Sequence, residues 1–102
     1  MTVEQCVKNI VQEMLPHIKG EWNALNVDAD LSYGDPDIIL AYVEATSKVT
    51  RPLPEIPEVQ PLVLKLVELN RDNGKGEVVQ CRLTITREGS TDLQLSFQSN
   101  GG

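Results

Sequence analysis

Six carboxylates stand between Gly20 and Ser47, a stretch with no lysine or arginine: Glu21, Asp28, Asp30, Asp35, Asp37 and Glu44. Acids this close can hold a divalent cation, trade protons, or meet a cationic surface. Spacing tests the first. Asp28-x-Asp30-x-Ser32 resembles the opening of a calcium loop. Its sixth position is Tyr33, where the sharp turn needs Gly, and its twelfth is Ile39, where the ion needs a bidentate Glu. Acid–base work by Asp35 and Asp37 is disfavoured, because a solvated turn leaves neither poised to move a proton. Two readings remain: a solvated face that keeps the protein soluble, and a docking surface for a cationic partner. Like charges that gain nothing within the fold gain when a basic surface neutralises them, and they speed association in a salt-dependent way. The candidate contact residues are Asp28, Asp30, Asp35, Asp37 and Glu44, with Tyr33 in the turn between them.

Other reactive side chains form no constellation. His17 is the single histidine and has no serine or cysteine pattern around it. Gly74-Lys75-Gly76 lacks the upstream glycine and the following Ser or Thr of a phosphate loop, and reads as a flexible turn. Cys6 and Cys81 are too few for a disulfide scaffold and lie in apolar-patterned segments, so both are expected buried and reduced. No catalytic residues, metal site or cofactor are expected, and the chain is not read as an enzyme.

The elements that carry these residues follow from hydrophobic period. Val3, Val7, Ile10, Val11, Met14 and Ile18 paint one helical face. Thr2 and Gln5 have the spacing of a capping box, and Pro16 should distort or end the last turn. Leu25, Val27, Ala29 and Leu31 then alternate with Asn26, Asp28 and Asp30, which predicts a half-buried strand opened by Trp22. Trp22 is expected to anchor the helix-to-strand junction. Ser32 to Asp37 is turn chemistry. Ile38 to Ala45 predicts a second strand, antiparallel to the first. Its nearly continuous apolar character hides which side points inward and suggests a central position covered on both faces. Ser47 to Pro57, with Pro52, Pro54 and Pro57, reads as an irregular extended connector. Leu62, Val63, Leu66 and Leu69, joined by Val59, predict a second helix starting close to Pro61 and stopped by Asn73-Gly74. Val79 to Thr86 and Leu93 to Phe97 alternate around Arg87-Glu88-Gly89, a hairpin.

The expected fold is α+β: a two-layer sandwich in the order α-β-β-α-β-β, with a four-stranded antiparallel sheet and two helices on one face. A single domain is expected over 1–98, with 99–102 a frayed tail. The 102 residues are 40% apolar, enough for one core, and the formal charge is −6. Residues 1–19 balance two acids with two bases and residues 48–102 balance seven with seven, so the whole net charge lies on the first hairpin. That disfavours direct nucleic-acid binding and adhesion to anionic membranes. The longest fully apolar run is Ile38 to Val43, and the first residues lack the basic start and apolar stretch of a signal peptide. A cytoplasmic protein is expected, as a monomer or a weak dimer through an open strand edge.

The element order resembles the YezG-like immunity proteins of bacterial polymorphic and contact-dependent toxin systems. The likeness rests on Trp22 opening the first strand after a short amphipathic helix, on the Leu53-to-Pro57 lead-in to the second helix, and on the closing hairpin. In that hairpin, Arg82-Leu83-Thr84-Ile85-Thr86, then Gly89, then Leu95-Ser96-Phe97 look like the family's last two strands. The resemblance implies a small cytosolic protein that binds and neutralises a cognate toxin domain, often a nuclease. A nuclease is basic where it grips phosphate, so an acidic inhibitor can mimic its substrate. The alternative expectation is an acidic secretion chaperone that holds an effector segment along apolar grooves.

Overall fold

The computed structural model describes residues 1–32, 35–70 and 76–98. Tyr33, the Asn73-Gly74 helix stop, most of the Gly74-Lys75-Gly76 turn and the 99–102 tail lie outside the described residues. Helix α1 spans Val3–Met14 and runs into a 3-10 turn, Leu15–His17, that contains Pro16. The Thr2 hydroxyl accepts from the Gln5 amide while the Gln5 side chain accepts from the Thr2 amide, so both residues of the expected capping box are engaged. Strands β1 (Trp22–Asp30) and β2 (Asp37–Glu44) form the first hairpin.

A third strand, β3, spans Thr50–Pro52 and pairs antiparallel with β2. Helix α2 (Val59–Leu69) is followed by the hairpin of β4 (Val78–Thr86) and β5 (Thr91–Phe97). Gly89 takes φ +96° in that turn, a conformation that side-chain-bearing residues rarely adopt. The sheet is therefore five-stranded and wholly antiparallel, in the order β3-β2-β1-β4-β5.

This corrects the expected four-stranded sheet in two ways. The segment read as an irregular connector supplies an edge strand. Three residues are too few for an alternation to show, and Pro52 is tolerated because an edge strand leaves some amides without a ladder partner. The middle strand is β1, not β2. Helix α2 also begins two residues before Pro61, whose missing N–H falls among the first amides that have no intrahelical partner.

Register gives each strand its inward side. Val27 faces Leu40 and Leu83, Leu25 faces Tyr42 and Ile85, and Ala29 faces Ile38 and Cys81. This side meets Cys6, Ile10 and Met14 of α1 and Val59, Val63 and Leu66 of α2 in one core. Both helices thus cover the same face. The Cys6 thiol donates to the Leu62 carbonyl at 2.9 Å, tying α1 to α2. Both cysteines are buried and unbridged, as their apolar setting predicts. Trp22 packs against the core at the mouth of β1, with the Arg87 guanidinium 5.2 Å above its ring.

Candidate binding surface

Shifting one residue along each strand reaches the other side of the sheet, because successive side chains alternate. No helix covers it. Strand β2 places Asp37, Ile39, Ala41 and Val43 there, and β1 places Ala24, Asn26, Asp28 and Asp30 opposite them. Strand β4 adds Gln80, Arg82, Thr84 and Thr86, and β5 adds Asp92, Gln94 and Ser96. Ile39 is 62% exposed, so this side is not a second core. The expectation that β2 is covered on both faces is overturned by this register: its apolar run splits between a packed side and a wet one.

The acids do not all share the surface. Asp28, Asp30 and Asp37 do, and Asp30 stands directly across from Asp37 at the end of the β1–β2 ladder. Asp35 lies exposed in the adjoining loop. Glu44 departs from the expectation. Two- and four-residue steps from Leu40 put Tyr42 and Glu44 on the helix side, where the Glu44 carboxylate binds Arg51 of β3 and accepts from the Ser47 hydroxyl at 3.3 Å. The Arg51 bond, with Ser47 adding to it, holds the Glu44 carboxyl below its ordinary range. Glu44 is better placed to pin β3 than to meet a partner. Tyr33 lies outside the described residues.

Nor is the hairpin unneutralised, as its local sequence suggested. Arginines from distant segments return to it. Arg82 of β4 lies 3.7 Å from Asp28, whose other oxygen accepts from the Gln80 side chain at 3.1 Å. Arg87 lies 3.7 Å from Glu21. Among the described residues no cation is in ion-pair contact with Asp30, Asp35, Asp37 or Asp92. Asp30 instead accepts the Ser32 amide at 2.9 Å, which keeps its carboxyl ionised to lower pH than usual. Four acids and one arginine leave the uncovered face with a formal charge of −3.

Sequence reasoning missed Asp92, Ile39 and Arg82 as members of the surface. Alternation places Asp92 on the polar side of its strand, but only the order β2-β1-β4-β5 shows that this side continues the Asp28–Asp30–Asp37 face. Chemically the surface can recognise: paired carboxylates accept hydrogen bonds from cations, and Ile39, Ala41 and Val43 offer an apolar strip beside them. No described helix is long and apolar enough to cross a membrane. No protein-family model matches the chain, and no curated protein matches it in sequence.

Proposed function

We propose that this chain is a cytoplasmic immunity protein that neutralises a basic toxin domain, a nuclease in the simplest case, by laying its uncovered sheet face over the toxin's cationic cleft. One observation carries the reading. Among the described residues one sheet face is left without a helix, and its acids outnumber its bases four to one next to an exposed isoleucine. Asp30 and Asp37, held opposite each other, gain nothing from proximity in the isolated fold. A lysine or arginine from a partner placed between them would relieve their repulsion. The mechanism is occlusion: carboxylates stand where phosphates would bind, and nucleic acid is excluded.

The test uses a basic toxin domain recovered by pull-down with this chain from its host. Asp30→Lys, Asp37→Lys and Asp92→Lys together should slow association, and the dependence of affinity on salt should flatten. Unchanged binding by the triple variant would remove the mechanism.

The secretion-chaperone reading is favoured by a different feature, an apolar groove of about 350 Å³ between Val3, Val7 and Val11 of α1 and Ile85 and Thr91 of the last hairpin. A bound effector segment there would respond to Val3→Asp, a partly buried position at the start of α1, and not to the acids of the sheet. The two readings therefore separate on which variants lose the partner.

A further inference from the structure

The two edges of the sheet are built differently. Strand β3 is three residues long and carries Arg51 and Pro52, the devices by which natural edges avoid pairing. Strand β5 is seven residues long, Thr91 to Phe97, with no proline, no lysine and no arginine. Its irregularity falls on β4, between Val78 and Gln80, so β5 itself stays regular. We propose that β5 is a homodimerisation edge, pairing antiparallel with β5 of a second copy about a two-fold axis at Gln94. This inference is independent of the toxin reading.

Backbone direction comes first. The Gln98 amide donates to Glu77 and the Ser90 carbonyl accepts from Thr86, so even-numbered residues point their backbone groups toward β4. Over a regular strand, Thr91, Leu93, Leu95 and Phe97 then point theirs outward, and among the described residues no strand lies beyond them. A second copy centred on Gln94 sets Leu93 against Leu95 of its mate and Thr91 against Phe97. Four facing pairs exchange two bonds each, about eight in all, more than a shift of the axis by one residue in either direction allows.

Side chains agree with this register. Leu93, Leu95 and Phe97 are only half-buried within one copy, and they lie on the helix-covered side. Pairing would run the apolar layer of one copy into that of the other. On the opposite side Asp92 meets Ser96, so no like charges are opposed, and the two Gln94 amides face each other. The register cannot slip by a half-step, because that would set leucines against glutamines on the wrong side. Seven residues span roughly 23 Å, and a sheet-plus-helix edge is on the order of 20 Å deep, so each copy buries about 450 Å². That is below the roughly 800 Å² per partner of a standard stable interface. A reversible, concentration-dependent dimer follows, presenting the acidic faces of both copies side by side.

The test is a cysteine pair on the axis. In the proposed register the Cα atoms at position 94 are about 4.5 Å apart, within disulfide reach. Gln94→Cys, oxidised with glutathione disulfide, should give a covalent dimer on a non-reducing gel. Asp92→Cys should not, because its mate would lie roughly 13 Å away. Wild type is the control, since Cys6 and Cys81 are buried. In light scattering, the wild-type mass should climb toward twice the monomer across the micromolar to millimolar range. Gln94→Lys, an exposed change that sets two cations face to face, should weaken this rise several-fold. A monomeric mass throughout, or a 92 crosslink as efficient as the 94 crosslink, would overturn the proposal, the first leaving the edge to another protein's strand.

Discussion

On the side of the sheet that meets the helices, Leu25, Val27, Cys81 and Leu83 are at most 1% exposed. One residue further along the same strands, Asp28 and Arg82 keep about half their side-chain surface in water, and on neighbouring β2 Ile39 keeps 62% of its own. The same backbone ladders run under both sides. The contrast therefore comes from the side chains alone, and it divides their roles. The packed side supplies the stability, since burial of apolar surface is the dominant favourable term. The uncovered side is not needed for that, and beside its Arg82–Asp28 pair it holds Asp30 directly across from Asp37. A surface that a fold keeps at no benefit to itself is a candidate for recognition.

Leu83→Ala should break the packed side most severely. It removes a side chain with no exposure from the centre of the core and should cost about 2–5 kcal/mol in a denaturant titration. A loss under 1 kcal/mol would mean that the core is looser than described.

The second effect is set by pH. Burial first, and then the negative charge of Asp28 across the ladder, push the Cys81 thiol up to about 11 from an ordinary 9.0. The folded chain thus holds this proton more tightly than the unfolded chain. Its contribution is complete below pH 9 and is lost as pH rises from about 9 through 11, by up to ~3 kcal/mol. Stability followed across that window should fall, and Cys81→Ala should flatten the fall. An equally steep fall in that variant would place the proton elsewhere.

On the uncovered side, Ile39→Ser should change stability by less than about 0.5 kcal/mol despite removing a large apolar group. A loss as large as that of Leu83→Ala would show that something covers this face. The smallest effect is electrostatic. Asp37→Asn, which removes one of the two facing charges and keeps the bond from the Ser32 amide to Asp30, should leave the melting temperature of the isolated chain unchanged or slightly raised at low salt, with the difference vanishing at high salt. A clear drop would mean that the facing carboxylates support the fold.

Much of the packed side was legible in the sequence. The alternations of 25–31, 81–85 and 93–97 gave strands and inward residues together, and the capping box and the 3.6-residue stripe marked α1; Val79 falls at the irregularity of β4 and is not part of the core. Strand β2 was legible as a strand but not in phase, because Ile38, Ile39, Leu40 and Ala41 are apolar on both sides. Only pairing with β1 sends Ile39 outward. Strand β3 carried no periodic signal at three residues.

The candidate surface was half legible. Asp28 and Asp30 sit at polar positions of a clear alternation, and Asp37 follows them across a short turn. Glu44 was misplaced because the phase of β2 was unknown. The charge map along the chain also could not show that Arg82 and Arg87 return to Asp28 and Glu21, since ion pairs between segments this distant depend on strand order.

The most direct measurement compares two charge reversals of equal size in binding to the basic partner that the proposal calls for, isolated by pull-down with this chain. One carries Asp30→Lys, Asp37→Lys and Asp92→Lys on the uncovered face; the other carries Glu55→Lys, Glu68→Lys and Glu88→Lys, exposed acids elsewhere. The account predicts that the first weakens binding by about 100-fold or more, near 3 kcal/mol, and the second by only a few-fold. Equal losses from both would contradict it, because the partner would then be sensing net charge and not this face.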